Sequence, residues 1–235
     1  MSTILKLLNA DFQNPNLPVY LPITKDRIVE AYTFNNGLKV ISGSAPTPTG
    51  AVEYDSEGVT LTAVNGTFQS NFISRDAGDY TIIMVAKKIE SGVTNSHFTA
   101  NDRNDMATVY AGTGSASITA QDRDPAFSAP VVRVSSSSAP FDTTEYFFFS
   151  FSSTLGGVSF KVPGANYEGS ASATTPLTGA PNPTTIGPST SDTSSAKVKI
   201  CAAAIYNKVL TDDEIAQNHE ALKSYLKGSS SIDIV

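Results

Sequence analysis

Three carboxylates stand at alternate positions early in the chain, in Glu53-Tyr54-Asp55-Ser56-Glu57. On an extended strand, alternation puts all three on one face. Two carboxyl groups about 5–5.5 Å apart are what retaining glycoside hydrolysis needs, one as nucleophile and one as acid. Two features of the sequence oppose the reading. Gly58 follows at once, so Asp55 to Gly58 reads better as a hairpin turn than as mid-strand. The chain also has no tryptophan on which a sugar could stack.

Other residue types with chemical potential are scattered. Asn101-Asp102-Arg103-Asn104-Asp105 places Asp102, Asn104 and Asp105 within one short loop, and calcium favours such oxygen clusters. The competing reading is a plain turn in which Arg103 offsets the acids, and Asp122-Arg123-Asp124-Pro125 allows the same pair of readings. The two histidines, His97 and His219, have no metal-ligand spacing. Nothing marks a nucleophile elbow. The single cysteine, Cys201, can form no intramolecular disulfide and reads as a small buried hydrophobe. In Tyr146-Phe147-Phe148-Phe149-Ser150-Phe151, alternation sends Phe147, Phe149 and Phe151 to one face, the natural core. Tyr146 and Phe148 go to the other, where they either meet a ligand or lie under a loop or helix. Tyr110 is a further aromatic candidate. So is Tyr167, flanked by Asn166 and Glu168, a ring beside an amide and a carboxylate as sugars are often held.

The elements that must position these residues are short strands. The 235 residues suit one all-β domain with a sizeable core. Charged residues make up only 16%, and Ser, Thr, Gly, Ala and Pro dominate the remainder. A net charge of −6 with no basic cluster argues against a nucleic-acid partner. No stretch approaches the roughly 20 apolar residues of a membrane helix, so no membrane insertion is expected. The opening MSTILKLLNADFQNPNLPVY has an apolar part of about five residues with Lys6 inside it, which is no signal peptide.

Along the chain, residues 1–26 read as an extended arm spaced by Pro15, Pro18 and Pro22. That arm either covers one end of the domain or docks on another subunit. Strands are expected at Ile28–Phe34, before the Asn35-Asn36-Gly37 turn. A loop with Pro46 and Pro48 precedes Ala51–Tyr54 and Val59–Ala63, which flank the Asp55–Gly58 turn. Further strands are expected at Thr67–Ile73, Tyr80–Ile89, Gly92–Ala100, Met106–Ala111, Ser115–Ala120, Val131–Ser135, Glu145–Ser152 and Val158–Val162. Gly164–Thr184 reads as a long loop. The apolar run Val198–Ile205 predicts a strand buried on both faces. A helix then starts at a capping box, Thr211 with Glu214, stapled by Leu210 and Ile215. Asp212 and Asp213 complement its dipole. Ile215, Leu222 and Leu226, with Ala216 and His219, form its apolar stripe, and Gly228 is placed to end it. The remainder, 228–235, reads as a tail: a Ser229-Ser230-Ser231 spacer and β-prone Ile232-Asp233-Ile234-Val235, suited to adding a strand to a neighbour or to folding back.

Ile205-Tyr206-Asn207-Lys208-Val209-Leu210-Thr211-Asp212-Asp213-Glu214-Ile215 resembles the C-terminal signature IYN-x-x-L-[ST]-x-x-E-I of laminin-G-like, concanavalin-A-like jelly-roll domains. Thr185-Ile186-Gly187 fits the TIG that precedes it. Tyr80–Ile89 is similar to the family's FTISAWVK strand and Glu145–Ser152 to its WHHVAVTY strand. The resemblance spans roughly 27–227 and implies an all-β, two-sheet antiparallel jelly-roll sandwich with one C-terminal α-helix. It implies a concave face on which Tyr146 and Phe148 could meet a glycan, to which the residue types add Tyr110, Asn166 and Tyr167 as further candidate contacts. It also implies rim calcium as the one cofactor to consider, at Asp102, Asn104 and Asp105. E-x-D-x-E resembles the motif of family-16 glucanases of this fold. Its intervening positions there are mostly apolar, though, and here the stretch falls at the family's FDG turn.

A surface-type fold without an export signal is reconciled in a bacteriophage structural protein, made in the host cytoplasm and carried in the virion. The expected function is a non-catalytic structural or adhesive module of a tail, fibre or capsid surface. Its expected partners are other virion proteins, further copies of itself as a homo-oligomer, and cell-surface glycans. The alternatives are a retaining glycoside hydrolase using Glu53 and Glu57, or a pure assembly protein.

Overall fold

The computed structural model describes residues 23–62, 66–74, 78–89, 96–100, 108–122, 131–177, 182–188 and 197–235. Its strands are β1 (Ile28–Thr33), β2 (Lys39–Ser42), β3 (Thr47–Thr49), β4 (Glu53–Tyr54), β5 (Val59–Leu61), β6 (Thr67–Gln69), β7 (Tyr80–Lys88), β8 (Ser96–Ala100), β9 (Thr108–Ala111), β10 (Ile118–Asp122), β11 (Val132–Ser136), β12 (Phe147–Thr154), β13 (Gly157–Val162), β14 (Tyr167–Ser172), β15 (Thr185–Ile186) and β16 (Val198–Tyr206). One helix, α1 (Asp212–Ser230), follows.

The described strands form two antiparallel sheets. The larger runs β14-β13-β12-β7-β16-β1-β2, with β5 beside β16 and β4 beside β5. The smaller runs β11-β10-β9-β8-β15-β6-β3. This is the expected two-sheet jelly-roll sandwich, with Tyr80–Lys88 central in the larger sheet. Pro48, which can donate no ladder hydrogen bond, sits on the edge strand β3, where a proline is tolerated.

Alternation explains both cores. Phe147, Phe149 and Phe151 of β12 point between the sheets, where Phe98 of β8 meets Phe147 and Phe149 at ring separations of 5.4 and 5.9 Å. The other face of the larger sheet is apolar too: Ile83, Val85, Phe148, Ala202, Ala204 and Tyr206 form a second cluster with Ile215, Leu222 and Leu226 of α1. The apolar run of β16, interrupted only by Lys199, is therefore buried on one side by the sandwich and on the other by the helix.

The helix starts as its sequence dictates. Thr211 Oγ1 accepts from the Glu214 amide, and the Glu214 carboxylate accepts from the Thr211 amide at 2.9 Å. Leu210 and Ile215 are both buried beside it.

Several boundaries differ from expectation. Gly228 does not end the helix. The chain stays helical to Ser230, and Ser231 takes the left-handed cap at φ 56°. Ala216 faces outward, and the fully buried Asn218 takes its place, its side-chain oxygen accepting from Thr24 N at 2.7 Å. Residues 232–235 are not a free tail. Ile232 and Ile234 are buried, Val235 N donates to Tyr146 O at 3.0 Å, and Phe148 N donates to Val235 O at 2.9 Å. The chain end thus continues the ladder beside β12 where β13 has stopped. Gly164 permits the approach, because a Cβ there would lie 2.3 Å from the Val235 backbone. Residues 1–22 of the expected arm lie outside the described residues. Its last part belongs to the fold: Ile23 is buried against the helix cluster, and Tyr206 Oη donates to Thr24 O at 3.0 Å.

The expected loop at Gly164–Thr184 contains β14. Its sequence, Tyr-Glu-Gly-Ser-Ala-Ser, has weak strand propensity and is held by pairing with β13 from Gly157↔Ser172 to Val162↔Tyr167. The loop around Pro46 and Pro48 likewise contains β3.

Candidate functional site

On the outer face of the larger sheet, the edge strand β14, its neighbour β13 and the start of α1 line a groove of about 370 Å³. Alternation builds it. Phe160 and Val162 point into the core, so Lys161 between them points out, opposite Glu168 in register. The capping box fixes the first turn of α1, which delivers Asp212 to the same place. Lys161 Nζ lies 2.6 Å from Asp212 Oδ1 and 3.3 Å from Glu168 Oε2. The bond to Asp212, helped by Glu168, raises the Lys161 pKa against the opposing effect of burial. The ammonium therefore stays charged between two carboxylates.

Asn166 closes one end. Pro163 to Ala165 make a single 3-10 turn, and Asn166 caps it in the left-handed region at φ 50°, donating its amide to Pro163 O at 3.0 Å. Asparagine is among the few side-chain-bearing residues that adopt this conformation at low cost. Pro163, Ile215 and Ala216 give the groove an apolar part. A hollow of about 290 Å³ continues along the same strands, where Ser170 faces Ser159 and Ser159 faces Ser152. An amide, an ammonium and two carboxylates around an apolar patch can share donors and acceptors with a ligand carrying many hydroxyls.

The other sequence candidates are placed as follows. Tyr167 adjoins the groove, but its ring packs edge-on against Phe141 (5.7 Å) and Phe160 (6.2 Å), at the border of the inner core. Of that expected trio, Asn166 and Glu168 carry the polar contacts. Phe148 is no ligand platform. It is fully buried beneath α1, with the imidazole of His219 5.3 Å away. Tyr146 is nearly buried as well, its ring beneath Lys87 Nζ at 4.1 Å. Tyr110 lies apart, on the outward face of the smaller sheet opposite His97, with ring centroids 5.2 Å apart. Asp102, Asn104 and Asp105 lie outside the described residues. Among the described residues, no group of three or more His, Cys, Asp or Glu could hold a metal ion.

The E-x-D-x-E stretch is a hairpin turn between β4 and β5. Asp55 N donates to Gly58 O at 2.9 Å, and Asp55 Oδ1 accepts from the amides of Glu57 and Gly58. Glu57 accepts from Tyr146 Oη at 2.6 Å and lies 3.7 Å from Lys87 and 3.5 Å from Lys199. The Tyr146 hydrogen bond, with both lysines, lowers the Glu57 pKa against its partial burial. Burial pushes Asp55 upward, but its bond to Lys199 and the two turn amides outweigh that and hold it below the usual range. A general acid needs a raised pKa, and Glu57 has a lowered one. The alternating strand face that would have aligned all three carboxylates is absent, because the turn begins at Asp55.

Lys161 and Asp212 are the groove residues that sequence reasoning did not single out. The signal for Lys161 was the polar alternation of Ser159 and Lys161 within an apolar strand. Asp212 was legible only as a complement to the helix dipole.

No family model matches the sequence, and no curated protein matches it. Solved structures do resemble the fold. The binding domain of Paraclostridial Mosquitocidal Protein 1 aligns with a TM-score of 0.61 and 14% identity over 86% of this chain and 53% of that one. The botulinum neurotoxin serotype D binding domain gives 0.63 and 12%, over 83% and 52%. The binding domain of botulinum neurotoxin DC in complex with SialylT gives 0.62 and 13%, over 84% and 51%. The chain spans about half the length of these domains, and at such identity the likeness is one of fold.

Proposed function

We propose that this chain is a non-catalytic binding module that holds surface glycans in the groove between β13, β14 and α1, as a component of a phage particle. The observation that carries the binding role is the convergence of Lys161 of β13, Asn166 capping the 3-10 turn, Glu168 of β14 and Asp212 of α1 around one concavity. All three of the similar structures are binding domains by name, and one of them is in complex with SialylT, which supports a binding role on this fold. The particle assignment rests on sequence: a proline-spaced apolar segment before Ile23 suits attachment to a neighbouring subunit or to a second copy. The lowered pKa of Glu57 and the turn at Asp55 disfavour the hydrolase alternative.

The test is a glycan array probed with the full chain, followed by titration of any glycan retained. Glu168→Gln should weaken binding about tenfold or more, and Asn166→Gly, which keeps the left-handed turn, should do the same. Absence of glycan binding, or binding that neither substitution alters, would overturn the reading.

A further inference from the structure

The helix that walls this groove carries a histidine on its buried face. His219 lies in the middle of the buried stripe of α1, between Ile215 and Leu222, and is 5% exposed. Its ring packs on Phe148 at 5.3 Å and 44°. Its Nε2 is buried and meets no hydrogen-bond partner. Beneath the helix lie Ile83 and Val85 of β7, Phe148 of β12, Ala202 and Ala204 of β16, and Ile232 and Ile234 of the chain end, with the buried amide of Asn218 beside His219 on α1. Two charged groups act on the ring, both from α1. Glu220, 3.6 Å from Nδ1 and largely exposed, favours the imidazolium, and Lys223 opposes it. Desolvation outweighs Glu220, so the His219 pKa lies below its ordinary 6.5.

We infer that protonation of His219 unlatches α1 from the larger sheet and so dismantles the ligand groove, making binding by this module sensitive to mild acid. The regulated site is the one proposed above, and this part of the inference rests on that reading; the unlatching itself does not. The direction follows from linkage. A base whose pKa is lowered by folding leaves docking intact above 6.5 and weakens it as pH falls below that value, because the undocked helix takes up the proton more readily. One such proton shifts the docking equilibrium by at most about tenfold per pH unit. The salt bridges Lys161–Asp212, Lys208–Glu214 and Lys227–Asp233 also hold α1. Of their carboxylates, Glu214 is held below its usual range by its bond to Lys208. Once α1 departs, Asp212, Ile215 and Ala216 leave the groove with it, and Phe148 becomes exposed.

Hydrogen exchange of residues 212–235 in the full chain, followed from pH 7.5 to 5.0 after correction for intrinsic exchange, tests the unlatching without any ligand. Wild type should lose at least tenfold protection in this segment while β7 and β12 keep theirs. His219→Phe, which preserves a ring against Phe148, should hold its protection flat. If that variant fails to fold, His219→Gln takes its place with the same expectation. Protection in wild type that does not change with pH overturns the inference. So does a loss of the same size that persists in the His219 variant that folds. Where a glycan has been found, its affinity should fall over the same pH range in wild type and not in His219→Phe. If the helix unlatches while glycan affinity stays constant, the latch stands and the groove between β13, β14 and α1 is the wrong site.

Discussion

Tyr80 of β7 and Asp122 of β10 meet across the two sheets: the buried phenol donates to Asp122 Oδ2 at 2.7 Å. Ser153 of β12 donates to the same oxygen at 2.8 Å. Burial, then the neighbouring carboxylate, raises the Tyr80 pKa well above its ordinary value, so the hydroxyl remains a donor. A carboxylate inside a sandwich is costly unless such donors surround it. Tyr80→Phe removes one donor and should cost about 1–3 kcal/mol, read as a lower urea midpoint with an unchanged slope. An unchanged midpoint would show that the contact adds nothing to stability.

The frame of the sandwich was legible because its central strands carry strong signals. The apolar run of β16, the phenylalanine alternation of β12 and the capping box at Thr211 each admit one physical solution. β14 was not legible, because Gly169, Ser170, Ala171 and Ser172 lack strand propensity and depend on pairing with β13. The site was half legible. Asn166 and Glu168 stood out as a polar pair, but their partners Lys161 and Asp212 are more than 40 positions from one another in the sequence, and only the packing of α1 unites them. Tyr146 and Phe148 were ambiguous for a related reason. A second apolar face on a strand fits a ligand surface or a helix seat equally well, and α1 occupies it.

Thr211→Ala should remove the acceptor for the Glu214 amide and cost about 1 kcal/mol, a fall in Tm of about 2–4 °C for a domain of this size. Thr211→Ser should restore most of it. Calorimetry on the three proteins decides the point. Equal Tm values for Thr211→Ala and wild type would mean that the helix start is held by packing alone.

Glu57→Gln should leave any polysaccharide as intact as wild type does, since no hydrolysis is expected from either. It should change acid stability instead. The folded-state pKa of Glu57 is lowered, so its contribution is present above the ordinary 4.5 and is lost as pH falls through the lower folded value. Wild type and Glu57→Gln should therefore differ in stability at pH 7 and converge toward pH 3. Turnover that vanishes in Glu57→Gln would instead make the stretch catalytic.

Deleting residues 232–235 should destabilise the seat of α1. Ile232 and Ile234 are each 4% exposed, and full burial of such a side chain contributes about 1.5–3 kcal/mol. The deletion also removes the acceptor for Phe148 N and the donor to Tyr146 O, leaving the end of β12 without its partner at that point. The expected result is a lower Tm and faster hydrogen exchange through residues 212–230, with little change in β7. Light scattering on the same protein addresses assembly. Because this segment pairs within its own chain, its loss should leave the oligomeric state of the full chain unchanged. Removal of residues 1–22 should instead reduce association if those apolar positions hold a neighbouring subunit. If loss of residues 232–235 alone dissolves an oligomer, the segment bridges copies in solution, and the intramolecular ladder to Phe148 is not the contact made there.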